Sequence, residues 1–250
     1  MNNKREKILN LILPILSIAA ILLLWTVAAI LVDSEYILPS IRETFSALKI
    51  LLGSGEFYFA LFSTFLRSLV AFLVSFVLSS ALAILATSNT GAERIISPII
   101  AIIRALPTIA IVLLLLFWTN SKIAPVIVTM LVVLPTLYTN IKNALETVDK
   151  TTVEAGMVDG ADKKQGFIKI RLPQALPSIY SAMGGGLSLN LKLMVAAEVL
   201  AATANSLGYL LNTSKVYFEI ATMLAIVVIT VIIGCVIEGV FNRLSKKAAE

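Results

Sequence analysis

Ile8 to Val32 is apolar for 25 residues without one charged side chain, and further apolar stretches follow at about 59–86, 95–118, 123–140, 179–202 and 218–241. As a helix the first stretch measures about 37 Å, longer than the hydrocarbon core of a bilayer is thick. Apolar residues make up 58% of the chain and charged ones 14%, with a mean hydropathy of +0.95, which is too little charge to solubilise a globular surface. Lipid must cover much of it. The expected fold class is all-α, a polytopic membrane protein with about six transmembrane helices in a single domain over 8–250. Lys4, Arg5 and Lys7 before an apolar run also fit a secretory signal peptide. This core is longer than a signal h-region and no convincing small-residue cleavage site follows, so 1–7 is read as a tail and the first helix as retained.

Short polar connections at Ser88 to Arg94 and Thr119 to Lys122 make neighbouring runs antiparallel. Asp33 to Tyr58 breaks the pattern with Pro39, Gly53 and Gly55. Within it Ile41, Phe45, Leu48 and Leu52 recur at helical spacing, which predicts an interfacial amphipathic helix. The net charge is +5, and its distribution carries more information than its size. With the amino terminus inside, thirteen Lys and Arg fall in inner segments and four, Arg42, Lys49, Lys122 and Lys215, in outer ones. That bias puts both termini, and the segment 141–178, in the cytoplasm. With no histidine and with Cys235 as the sole cysteine, an intrachain disulfide, a histidine or multi-cysteine metal site and histidine base chemistry are excluded. No catalytic residue is expected, and no nucleic-acid partner.

The segment 141–178 contains the most specific stretch, EAGMVDGADKKQGFIKIRLP from Glu154 to Pro173, charged and mostly polar. Glu154 to Val158 favours a short helix, Asp159 and Gly160 make a turn signal, and Asp162 is placed to cap a second helix. Ala155 and Gly156 carry almost no side chain, so another surface could approach the backbone, while Glu154 and Asp159 offer charged acceptors. A solvated loop would be capped in the same way. The offsets from Glu154-Ala155-Gly156 to Gly160 and on to Ile170, Leu172 and Pro173 decide between them. They resemble the EAA motif of ABC importer permeases, whose cytoplasmic coupling loop docks on a separate ATPase. Gly156 departs from the family's usual alanine and loosens a helix by about 1 kcal/mol.

Other stretches resemble the nitrate, sulfonate and taurine type of that family. Ile37 to Ser40 is similar to its Val-Pro-Ser-Pro entry, Arg104 to Pro107 to its Arg-Pro-hydrophobic-Pro stretch, and Ala197 to Leu200 with Ser206 to Leu210 to its Ala-Glu-Met and Gly-Leu-Gly-Tyr segments. Ser206 stands where the family has the first glycine. The resemblance covers roughly Pro39 to Lys247. It implies the type I ABC importer permease architecture, in the bacterial inner membrane. ATP-coupling contacts are implied at Glu154, Ala155, Gly156, Asp159, Gly160 and Ala161. Implied partners are a cytoplasmic ATPase dimer, an extracytoplasmic solute-binding protein and, economically, a second copy of the chain. The chain has no Gly-x-x-x-x-Gly-Lys-Ser/Thr loop. ATP and Mg therefore belong to the partner, and no cofactor is expected here.

A charge near mid-bilayer costs at least ~2.5 kcal/mol unless it faces protein or water. Lys192, with Asn190 beside it, would meet an anionic solute in a pathway; a pair with Glu198 or a dimer contact explains it equally. Arg104 precedes Pro107, where a kink is expected. Arg67 either pairs with Glu198 or snorkels to the interface. Arg104, Lys192, Glu198 and Asn190 are the pathway candidates. Gly184 to Gly186 bare one side of the fifth helix for close packing, with hinge motion as the other reading. The expected function is a permease subunit working by alternating access on a small solute, an anion such as a sulfonate or nitrate, or a pyrimidine-like precursor. A secondary transporter or channel independent of ATP is the alternative, and a membrane-anchored assembly subunit a third.

Overall fold

A computed structural model describes residues 2–148 and 163–249, and every regular element among them is helical. The chain divides into two compact units, one of residues 1–58 with 210–228 and one of 59–209 with 229–250. Among the described residues, five helices are long and apolar enough to cross a membrane, and a sixth span arises if one bent pair counts as one.

In the first unit, α1 (Asn2–Val32) leaves the apolar side chains of its 12–32 stretch largely in contact with the surroundings, as a lipid-facing helix must. The Trp25 indole N–H donates to the Pro39 carbonyl at 3.0 Å. That bond fixes the turn into α2 (Ile41–Leu52), which starts with a capping box between Ser40 and Glu43. The Ser40 backbone N–H and hydroxyl hold the Glu43 carboxyl below its ordinary pKa. This cap therefore acts fully above the ordinary carboxylate range and is lost as pH falls through the lowered value. The amphipathic helix forms where its spacing predicts it, with Thr44 and Leu51 buried and Phe45 and Leu52 exposed. The buried stripe is thus rotated from the one formed by Ile41, Phe45, Leu48 and Leu52.

The second unit holds most of α3 (Gly55–Ser88), then α4 (Thr90–Ala105), α5 (Thr108–Trp118), α6 (Ala124–Glu146) and α7 (Leu172–Leu200); α8 (Leu207–Val216) and α9 (Ile220–Ala249) run through both units. A single helical turn, Lys163–Gly166, and a wider π turn, Phe167–Arg171, lead into α7. The kink expected in the 95–118 stretch is a 90° bend between α4 and α5. Leu106 and Pro107 are extended there because proline removes a donor and disfavours helix in the residue before it.

The core lies around α6 and α7, with Leu137, Ile141 and Leu145 packed among Phe72, Ile179 and Leu187. Phe72 and Phe76 stack at 6.0 Å, and the Ser79 hydroxyl donates to the Leu134 carbonyl at 2.9 Å, which ties α3 to α6. The glycine triplet works as close packing. A Cβ on Gly184 would meet Phe241 Cβ at 2.7 Å and one on Gly186 would meet Leu137 at 2.5 Å, whereas Gly185 has nothing within 4 Å. Two of the three glycines therefore seat neighbouring helices.

α7 stops in a Schellman-type turn, with the Thr203 N–H bonded to the Glu198 carbonyl at 3.0 Å and Ala202 at φ 47°. A Cβ in the left-handed region costs roughly 1–2 kcal/mol, and glycine's added chain entropy returns about half of that. Ala202 is exposed, so Ala202→Gly removes no packing. A stabilisation of about 0.5–1 kcal/mol is expected, read as a raised thermal midpoint in detergent; an unchanged or lowered midpoint contradicts it.

Candidate functional site

Glu198 is wholly buried near the end of α7 and takes bonds from three directions. Arg67 of α3 reaches its Oε1 through Nε and Nη2, each at 2.8 Å, and the Thr64 hydroxyl donates to Oε2 at 2.8 Å. The Gly208 N–H, at the start of α8, points at Oε2 from 3.4 Å, and the Leu207 N–H donates to the Thr64 hydroxyl at 2.9 Å. The turn between α7 and α8 is held by the same group: Arg67 Nη2 donates to the Asn205 carbonyl at 3.4 Å and the Thr203 hydroxyl to the Ser121 carbonyl at 2.6 Å. A carboxylate at a helix N-terminus with a guanidinium beside it is a satisfied junction. Of the two readings of Arg67, the ion pair is the one found.

Asn190 is equally buried, its amide N–H₂ donating to the Ser68 carbonyl at 2.6 Å and hydroxyl at 2.7 Å. Lys192 is different. It is exposed on α7, and the described residues give it no ion-pair partner, Glu198 included. Gly234 of α9 lies opposite, where a Cβ would crowd Ser188 Oγ at 2.9 Å and touch the Lys192 Cε at an ordinary 3.6 Å. Arg104, at the end of α4, is exposed too and donates from Nη2 to the Thr139 hydroxyl at 2.6 Å and the Pro135 carbonyl at 3.4 Å. Of the four residues expected on a pathway, two thus sit inside the bundle with protein partners and two lie on its surface.

The surface around them is polar where a lipid-facing helix would be apolar. Ser178, Ser181, Gly185 and Lys192 follow one another on the exposed face of α7 at helical spacing. Asn140 and Asn143 of α6 and Thr147 at its C-terminal cap lie across from Ser178, Ser181 and Gly185 in a groove of about 320 Å³. Hydroxyls, amides and an ammonium cannot face hydrocarbon without cost, so this face belongs against water or protein. Individually these small polar residues carry no motif. Their common face appears only once α6 and α7 are packed, although the i, i+3, i+7 spacing of Ser178, Ser181 and Gly185 was present in the sequence. Glu154, Ala155, Gly156, Asp159, Gly160 and Ala161 lie outside the described residues; Leu172 and Pro173 open α7.

Residues 75–250 match the profile of the family described as binding-protein-dependent transport system inner membrane component. The taurine transport system permease protein of Escherichia coli (strain K12) is 24% identical over 229 residues, covering 89% of this chain and 83% of that protein. The formylaminopyrimidine transport permease protein of Halalkalibacterium halodurans is 24% identical over 212 residues, covering 82% of each. Among solved structures, the MetNI methionine ABC transporter in its inward-facing conformations superposes with a TM-score of 0.66 at 21% identity, over 76% of this chain and 95% of that one. That likeness is one of fold.

Proposed function

This chain belongs to the binding-protein-dependent transport system inner membrane component family, an ABC importer permease with the type I fold, and from that premise we propose that it is the membrane-spanning half of an ATP-driven importer. The observation that supports a transport path is the exposed polar face of α6 and α7, with Lys192 on it and Asn140, Asn143, Ser178 and Ser181 below. Arg104 and Lys192 line that path or its gate. Asn190 and Glu198 hold the helices that form it. A second copy of the chain covers the opposite side, which keeps the polar face from lipid.

ATP and Mg are handled by a separate cytoplasmic ATPase dimer, which docks on Glu154, Ala155, Gly156, Asp159, Gly160 and Ala161. The 13-to-4 distribution of basic residues supports placing that segment, and both termini, in the cytoplasm. An extracytoplasmic binding protein delivers the solute, ATP closure of the ATPase tips the helices outward-open, and hydrolysis resets them. The solute is small and polar. Lys192 favours an anion such as a sulfonate or nitrate; a pyrimidine-like precursor fits the amides and hydroxyls of the groove.

The test is ATP hydrolysis by the chain assembled with its ATPase, comparing the native chain with Glu154→Lys and Gly160→Trp. Both variants are expected to lose assembly, or stimulation by a loaded binding protein, by at least tenfold. If both behave like the native chain, the docking segment is an ordinary loop and a carrier independent of ATP becomes the better reading.

A further inference from the structure

The cytoplasmic segment leaves the bundle at the end of α6 and returns through the π turn Phe167–Arg171. Arg171 closes that circuit, its Nε donating to the backbone carbonyl of Leu145 at 2.8 Å across a sequence separation of 26. The acceptor is one of the last four carbonyls of α6, which have no partner within their own helix, and a guanidinium there also meets the negative end of the helix dipole. Leu145 is fully buried in the main core, so the acceptor moves with the bundle rather than with the loop. One turn earlier on α6, Lys142 lies 2.8 Å from Glu93 of α4 and 2.9 Å from Glu146. The same end of α6 is therefore bonded both to α4 and to the entry of α7.

We propose that Arg171 is a positioning residue for energy coupling: it clamps the two ends of the cytoplasmic segment, with Lys142 and Glu93 as a second tie, so that a push on that segment moves α4, α6 and α7 together. The proposal rests on the docking role assigned to 154–161. Without the clamp the load reaches α7 only through the π turn, an i to i+5 geometry that is rare within helices and frequent at functional sites. The second tie is weaker because Lys142 and Glu93 are 17% and 37% exposed and screened by solvent. Arg171 stands between the motif positions Ile170 and Leu172, and its work is done inside this chain, on a carbonyl, rather than on the ATPase.

The experiment follows α7 at its far end. Ala196 is exposed there, one turn beyond Lys192, and is not among the residues that line the groove between α6 and α7. A Cys235→Ser, Ala196→Cys chain carrying a bimane label is assembled with its ATPase, and the change of emission on adding Mg-ATP is recorded beside the rate of ATP hydrolysis. Arg171→Met is expected to assemble and hydrolyse ATP as the parent does while the emission change falls at least fivefold. Arg171→Lys, which restores a cationic donor, is expected to keep more than half of it. Should Arg171→Met fail to assemble, Arg171→Gln against Arg171→Lys decides on the same readout. A full-sized emission change in the methionine or glutamine variant overturns the clamp. Glu154→Lys separates the two levels. If it abolishes the change while Arg171→Met keeps it, only the clamp fails; if Glu154→Lys keeps the change, or the parent shows none, the docking reading fails and the clamp with it.

Discussion

Glu198→Ala is expected to cost about 3–5 kcal/mol of stability, the range for removing one partner of a buried ion pair. The reason lies in what is left behind. Arg67 keeps its charge with a side chain only 19% exposed, the Thr64 hydroxyl loses its acceptor, and the N-terminus of α8 loses the carboxylate facing it. Thermal unfolding in detergent should show the loss, and a double-mutant cycle should show that Arg67→Ala adds little once Glu198 is gone. A loss under about 1 kcal/mol, or full additivity, would mean that the junction is solvated in the membrane-embedded protein and contributes no more than a surface pair. Because Glu198 ties α3, α7 and the start of α8, the variant should also lose transport through misplaced helices. If the proposed function holds, the complex that its folded fraction forms with the separate ATPase should then hydrolyse ATP without coupling.

Substituting Gly208 by alanine, one methyl group, should rank with that loss. A Cβ there would lie 2.5 Å from the Val199 backbone nitrogen and 2.6 Å from the Glu198 carbonyl carbon, besides meeting Glu198 Cβ. Overpacking usually costs about 1–3 kcal/mol, and the upper end applies here because backbone atoms of α7 cannot rotate away. Gly185→Ala is the matched control. Nothing lies within 4 Å of its Cβ position, and helix propensity favours alanine by about 1 kcal/mol. Unfolding midpoints that move in opposite directions support the packing argument, whereas equal shifts would show that α8 seats less closely on α7 than described.

Several elements were legible from pattern alone. The apolar runs predict the long helices, because only their length and lack of charge matter to a bilayer. The break at Pro107 is a local backbone property, and so it too was readable, though not its size of 90°. The amphipathic helix after Ser40 was announced by the helical spacing of Ile41, Phe45, Leu48 and Leu52, yet its buried stripe is rotated from the predicted one. Its apolar residues are divided between a buried face, where Leu51 lies with Thr44, and an exposed one that carries Phe45, Ile50 and Leu52. Asn190 and Lys192, two residues apart in a helix, lie about 200° around it from one another. Sequence proximity grouped them as neighbours, while the helix turns one inward to Ser68 and the other outward.

Hydropathy, the placement of lysine and arginine and the spacing from Glu154 to Pro173 were enough to establish a multi-pass helical protein and to point to its family. Each of these signals is local or additive along the chain and survives without knowledge of contacts. Which charges are satisfied inside the bundle was decided only by packing. Arg67 and Glu198 are 131 positions apart, and Arg171 meets a backbone carbonyl, which has no sequence signature at all. The polar face shared by α6 and α7 is likewise a property of two helices placed side by side. A charge or hydroxyl has the same identity in the sequence whether it is buried and bonded or exposed, and its free energy differs by several kcal/mol between the two.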